Sequence, residues 1–498
     1  MEQHEATEGW RLCYATPRSR PSKELATGLL AEFLDLDARE DALSIRRGQP
    51  FLLGPGGVPD VDVLEFFRSR SFRSLAPDSQ DSYALDLRLY LSFLSGQGLD
   101  WRSASESDLE DFEHWRRRDG RNPRRIGVSK FSRELAAIGK FYGWQQRRGA
   151  VSGSPVAMRE REDAPGEITS TPKLRPKAVR SIRLKWLTPR AYRRWRDVGL
   201  AGYLADGTRD AKWRGRTDGR NLAMSETLWS SGLRLREGGT LLRGELPTFE
   251  AENRYARGRV GKAVAKGRGR DYWVHGRALK MIDNYVISER DAAVRRGRRE
   301  GRYDAIADLK IVQKVDRSRR VHYLSRDGER KVTPLDELTW KDRMTFFTKS
   351  DDGLDPWMVW LTDGGMPLPY RTWEKAFTDA SDRCEALGVD IHCHPHMLRH
   401  SFALRMLMTL IYAHDRRMGI TPEERREFRL VFGDPWVLVQ TLLGHANLET
   451  TRQWYLEPVS GLQVELFLND DGLEESSVED LMTRVAQASS KVIDAEEC

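Results

Sequence analysis

The stretch VSGSPVAMREREDAPGEITSTPKLRPKAVR, residues 151–180, mixes Pro, Gly, Ser and Thr with charge and offers no apolar period to bury, so it divides the chain. A length of 498 residues exceeds what one hydrophobic core usually organises, and two or three domains are expected. The expected layout is an N-terminal extension over 1–57, a helical domain over 58–155 and a basic linker over 156–180. A larger domain over 181–468 and a tail over 469–498 follow.

Before the divide the apolar spacing is helical. Tyr83, Leu87, Tyr90, Leu91 and Leu94 fall on one face, as do Phe131, Leu135, Ile138, Phe141 and Tyr142, with GQGLDW and GRNPRR as breaks. Four or so short helices make a compact all-α domain whose basic stretch RRRDGRNPRR (116–125) lies in a connection, open to a ligand. Past the divide, helices mix with strand-like runs: DYWVHG, RVHYLS (320–325), and PWMVWLTDGGMPL (356–368), a strand and then a turn. The fold class is therefore mainly α with a small β-sheet. In the tail, Val478, Leu481, Met482, Val485 and Val492 share one helical face, which must be buried against this chain or a neighbour.

Apolar content of 39% and 15 Trp describe a folded chain. Cys13, Cys384, Cys393 and Cys498 form no C-x-x-C pair, which argues against a disulfide framework and a zinc ribbon and for a reducing compartment. No apolar run reaches the roughly 18–20 residues of a membrane span, and MEQHEATEGW lacks the pattern of a signal peptide, so the cytoplasm is expected. The net charge of +7 matters less than its distribution. Lys173 to Arg196 carries ten Lys or Arg and no acid, and NRYARGRVGKAVAKGRGR (253–270) carries seven and no acid. Such clustering suits a polyanion, because phosphate neutralisation releases counterions. Lys173, Arg175, Lys177, Arg180, Arg183 and Lys185 in the first run, with Arg268 and Arg270 in the second, are the expected nucleic-acid contacts.

IHCHPHMLRHSFALRML (391–407) packs four of the chain's ten histidines into its first ten residues. As a metal site it fails on spacing. His396 and His400 are four apart as in H-E-x-x-H, but the second position is Met397, and His392, Cys393, His394 and His396 are too close together to wrap one ion. No metal or other cofactor is expected. As an anion site it works: His396 and Arg399, three apart, share a helical face beside the apolar Leu398, Phe402 and Met406.

Other pieces surround it in order. LWSSGLRLREGGTLL (228–242) puts Arg234 after a Gly at a helix-to-helix corner, with Glu237 three residues on. AVAKGRGRDYWV (263–274) puts Lys266 in a Gly-rich turn before a strand. TLLGHANLETTRQWYLEP (441–458) gives a helix stop at Gly444, then His445, a loop, and a helix carrying Tyr455. Together SGLRLRE, KGRGR, HMLRHSFA, LLGHANLETT and Tyr455 resemble the tyrosine recombinases, or phage-type integrases, over roughly residues 60–465. The helical domain looks like that family's SAM-like core-binding domain, and the larger one like its mixed α/β catalytic domain.

The resemblance implies a site-specific DNA recombinase or integrase. Tyr455 would attack a phosphodiester and form a 3′-phosphotyrosine; Arg234 and Arg399 would hold the non-bridging oxygens. Lys266 would protonate the 5′ leaving oxygen, His396 would assist proton transfer and His445 would add a hydrogen bond, with Glu237 and His400 in support. It also implies double-stranded DNA with specific sites as partner, a tetrameric synapse, a tail that docks on a neighbouring subunit, and an accessory protein that sets direction. Three departures stand out: Tyr455 lies ten residues after His445 where nine is commoner, 411–436 is an insertion between Arg399 and His445, and 288–357 is expanded. Within that expansion, RRGRREGR (295–302) either adds DNA contacts or solvates a helix. Two other readings share the chemistry or the fold. A type IB topoisomerase would relax a plasmid lacking any specific site, and an inactive DNA-binding relative would bind without cleaving.

Overall fold

The computed structural model describes residues 9–15, 48–164, 167–175, 185–248, 254–416, 435–443, 479, 482–483, 486–487 and 491–495. The chain divides into two compact units, Met1–Ser181 and Ile182–Cys498.

In the first unit, strands β1 (Arg11–Tyr14) and β2 (Pro50–Leu53) pair antiparallel ahead of helices α1 (Val61–Arg68), α2 (Arg70–Arg73), α3 (Pro77–Gly96), α4 (Glu106–Arg117) and α5 (Val128–Arg147). Leu87, Tyr90, Leu91 and Leu94 of α3 meet all five apolar residues read from α5 in one core, each at most 1% exposed. Tyr83 packs at its edge. At about 1.5–3 kcal/mol per buried large side chain, this stripe pairing is what folds the unit. The segment read as an extension belongs to it. Trp10 is buried, and its backbone N–H and indole donate to the Ser92 and Ser95 hydroxyls of α3 at 3.0 Å each. The expected basic connection is also partly internal: Arg116 is buried and donates to both oxygens of Glu134, at 3.0 and 2.7 Å, and to the Arg124 carbonyl. Within the divide, β3 (Met158–Ala164) and β4 (Glu167–Pro172) form an antiparallel hairpin. A hairpin of alternating polar residues leaves no apolar signal, which is why it reads as a linker.

In the second unit, β5 (Trp186–Leu187) and α6 (Pro189–Trp195) lead to α7 (Asp218–Ser231), which is buried almost all round although its sequence is polar. Two of its hydroxyls bond back to the helix's own carbonyls, Ser225 donating to Leu222 O and Thr227 to Ala223 O, at 2.9 and 2.7 Å. After the corner come α8 (Leu235–Gly239), the antiparallel hairpin β6 (Tyr255–Val260) and β7 (Arg270–His275), and α9 (Gly276–Tyr285) and α10 (Asp291–Arg299). The expansion folds as β8 (Lys310–Val315), β9 (Arg320–Ser325), β10 (Arg330–Pro334), α11 (Trp340–Arg343), β11 (Phe346–Ser350) and β12 (Gly353–Pro356). Its sheet order is β10-β9-β8-β11-β12, with only β8 and β11 parallel. Buried Arg343 anchors it, donating to Glu245 Oε1 at 2.8 Å and to the Thr240 carbonyl at 2.9 Å. RRGRREGR divides: Arg296 contacts Asp363 at 2.8 Å and Arg298 donates to the Leu354 carbonyl at 2.7 Å, whereas Arg295, Arg299 and Arg302 are exposed. Of the buried run PWMVWL, Pro356 ends β12, and beyond it only the isolated bridges Leu242–Met358 and Leu361–Pro367 occur among the described residues, so 357–361 is an interior crossing outside the sheet.

The unit closes with α12 (Thr372–Ala386), α13 (Pro395–Arg416), α14 (Pro435–Leu443) and β13 (Val492–Ile493). Val492 lies on that strand, paired parallel with Trp186 of β5, and not on the tail helix expected of it; Met482 packs into the same cluster as Phe402, Leu404 and Leu443. Val478, Leu481 and Val485 lie outside the described residues.

Candidate active site

The corner between α7 and α8 sets the first functional group. Gly232 ends α7 with φ 63°, a left-handed conformation that L side chains avoid, and a Cβ there would stand 2.3 Å from Phe402 Cδ1. Gly232→Ala is therefore expected to lower the melting temperature, by strain of about 1–2 kcal/mol plus the displacement of Phe402; thermal melts of the full chain check this. Two residues on, Arg234 opens α8. Its backbone N–H donates to Glu237 Oε2 at 2.8 Å and its Nη1 to Oε1 at 2.7 Å.

Glu237 is completely buried and also accepts from Arg270 Nη2 at 2.8 Å. Burial alone would raise its pKa. The charges of Arg270, Arg399 and Arg234 and the Arg234 N–H outweigh that and hold it at about 2. Arg399, 2% exposed on α13, donates from Nη1 to the Gly232 carbonyl at 2.5 Å and from Nη2 to the Leu443 carbonyl. Arg270 Nη1 donates to the Leu442 carbonyl at 2.8 Å. Two guanidiniums thus cap the carbonyl end of α14, the segment that immediately precedes His445.

Lys266 sits in the β6–β7 loop, exposed, with φ 53° beside Gly267 at φ 83°. Arg236 of α8 donates to the Val264 carbonyl of that loop at 2.9 Å. Partial desolvation, then the charges of Arg234, Arg236 and Arg399, lower the Lys266 pKa from its ordinary value. His396, at the start of α13, keeps solvent contact yet is pulled down to about 4, first by desolvation and then by Arg399, His394, Lys266 and Arg234. It is neutral at pH 7. The buried His400 supports it edge-to-face, ring centroids 4.9 Å apart.

Arg234, Glu237, Lys266, His396, Arg399 and His400 are therefore gathered in one place, while His445 and Tyr455 lie outside the described residues. Several cations and a neutral imidazole around one buried carboxylate can bind an anion and exchange a proton with it. Cys393 is fully buried against the core and its N–H donates to Ser381 Oγ at 3.0 Å, whereas His392, His394 and His396 are exposed. Among the described residues no group of three or more His, Cys, Asp or Glu is arranged to hold a metal.

The expected DNA contacts divide. Lys173, Arg175, Lys185 and Arg268 are exposed, and Lys177, Arg180 and Arg183 lie outside the described residues. Arg270 is the correction: its side chain is 9% exposed and spent on Glu237 and Leu442. It sits behind the anion site and takes no place on the surface. The second run also looked free of acid only along the chain, because strand pairing brings Asp271 opposite Arg259. Among the described residues, no helix is long and apolar enough to cross a membrane.

Residues 68–149 match the family model for the phage integrase N-terminal SAM-like domain. Tyrosine recombinase XerC of Escherichia coli O127:H6 (strain E2348/69 / EPEC) is 24% identical over 394 residues, 79% of this chain and 90% of that protein. XerC of Shigella flexneri gives the same figures. Of solved structures, XerH site-specific recombinase bound to palindromic difH substrate aligns with a TM-score of 0.42 and 15% identity, over 78% of this chain and 81% of that one. A Tn1549 transposon integrase in complex with a circular intermediate DNA aligns with a TM-score of 0.36 and 11% identity, over 72% and 82%. The ordered motifs, the helical unit's match and the XerC relatives agree: residues 68–149 carry a phage integrase N-terminal SAM-like domain, and the chain is similar over most of its length to tyrosine recombinases.

Proposed function

We propose that this site performs strand cleavage with Tyr455 as nucleophile and with the gathered cations in place of a metal. The tyrosine oxygen attacks phosphorus, the bond to the 5′ oxygen breaks, and that oxygen leaves with a proton from Lys266. Arg234 and Arg399, with His445, stabilise the charge growing on the non-bridging oxygens. His396, neutral at pH 7, takes part in moving the tyrosine proton. Glu237 orients Arg234, and His400 steadies the His396 ring. The phosphotyrosine conserves the bond energy, so a 5′ hydroxyl can reverse the step and rejoin strands without ATP.

The observation that carries this reading is the convergence of Arg234, Lys266, His396 and Arg399 on one electrostatic neighbourhood around a carboxylate held at about 2. Double-stranded DNA is the partner. Lys173, Arg175, Lys185 and Arg268, with Lys177, Arg180 and Arg183, are proposed phosphate contacts, and assembly is proposed as a tetramer on two duplexes, with an accessory protein biasing direction. The first unit is proposed as the core-binding domain and the second as the catalytic one.

A nicked suicide duplex, selected from a random pool by binding to the Tyr455→Phe protein, tests the chemistry. Wild type is expected to give covalent protein–DNA product at an unchanged rate in EDTA, and Tyr455→Phe none. Product that survives the substitution removes Tyr455 as nucleophile, and loss of product in EDTA removes the metal-free reading.

A further inference from the structure

Among the described residues, the two non-glycine residues with left-handed backbone are Lys266 (φ 53°) and Arg319 (φ 58°). They lie on loops that meet at one residue of the expansion, Asp336, just past β10. The Asp336 carbonyl accepts the Ala263 N–H of the Lys266 loop at 3.0 Å. Its Oδ1 accepts from Arg319 Nε and Nη2 at 3.2 and 3.1 Å, and its Oδ2 lies 3.7 Å from Arg259 Nη2 at the end of β6. Gly261, where the loop leaves β6, approaches so closely that a Cβ would stand 2.8 Å from the Asp336 Cα. The next residue along, Glu337, takes Lys262 Nζ at 3.0 Å. The loop is thus held from one side by Arg236 of α8 and from the other by the expansion's turn.

We propose that Asp336 is a positioning residue for Lys266: its carboxylate, held by Arg319 and Arg259, fixes in place the main-chain carbonyl that takes the Ala263 N–H, so the expanded sheet steadies the loop that delivers the leaving-group proton. This rests on the reading of Lys266 as the acid. In the step it serves, the electrons of the breaking P–O bond collect on the 5′ oxygen, which takes a proton from the Lys266 ammonium. A loop free to move would leave Arg234 and Arg399 in place while misplacing that proton.

The test compares nicked duplexes of the selected sequence with oxygen or sulfur at the 5′ bridging position, since a thiolate departs without a proton. With oxygen, Asp336→Ala is expected to slow single-turnover cleavage by about ten- to a hundredfold and Lys266→Ala by about a hundredfold or more. With sulfur, both are expected to approach the wild-type rate, and Asp336→Asn, which keeps the shape, to fall between wild type and Asp336→Ala on oxygen. Amide exchange of the peptide spanning 261–269 is expected to quicken in Asp336→Ala without DNA. Equal slowing of Asp336→Ala on both substrates, or no slowing on oxygen, overturns the proposal even where Lys266→Ala is rescued. Lys266→Ala unrescued by sulfur overturns the acid assignment itself and the proposal with it.

Discussion

Covalent protein–DNA product from the Arg399→Lys protein is expected to form at least about a hundredfold more slowly than from wild type, the scale lost when one donor to a developing oxyanion is removed. Lysine keeps the charge and loses the fork. Arg399 uses that fork on two carbonyls at once, Gly232 at the corner that places Arg234 and Leu443 at the end of the helix that precedes His445. Its value is therefore geometric as well as electrostatic, because one rigid planar group sets the spacing between two parts of the site. Alanine is the poorer test. It strips the donor from both carbonyls at about 1–3 kcal/mol for each left unsatisfied, so lost activity and lost folding would be confounded. The decisive pair of measurements is the rate of covalent product on the nicked duplex and the melting temperature of the same protein. Cleavage within tenfold of wild type at unchanged stability would remove Arg399 from the phosphate site.

What the sequence made legible is what local patterning controls. The apolar stripes of α3 and α5 land in one core because a period near 3.6 leaves few other ways to bury them. The corner at Gly232 and Arg234 could be read because a left-handed helix end needs glycine and Glu237 three residues on can reach back to the Arg234 N–H. Arg270 could not be read correctly, since its partners Glu237 and Leu442 come from distant parts of the chain and only the fold brings them together. Trp10 was missed for the same reason, its partners Ser92 and Ser95 lying far along the chain. The hairpin of β3 and β4 has polar residues on both faces, so alternation left no trace. Asp336 carries no motif; only the sheet of the expansion sets it against the Lys266 loop.

Glu237→Ala is expected to unfold more easily than any other single change discussed. Glu237 is fully buried among Arg234, Arg270 and Arg399, and without it the three guanidiniums lose the buried carboxylate they share. Removing one partner of such a buried set costs about 3–5 kcal/mol, a drop on the order of 10 °C for a unit of this size. The pH dependence fixes the cause. With a pKa lowered from 4.5 to about 2, Glu237 contributes stability that is fully present above 4.5 and is lost as pH falls toward 2. Wild type should therefore lose stability over that window, and Glu237→Gln, which has no carboxyl to protonate, should lose less over the same window. The cluster should then seek another anion: added sulfate is expected to raise the melting temperature of Glu237→Ala more than that of wild type. A variant that melts within about 2 °C of wild type, with the same acid limb and no extra response to sulfate, would mean that the carboxylate is not what holds these arginines together.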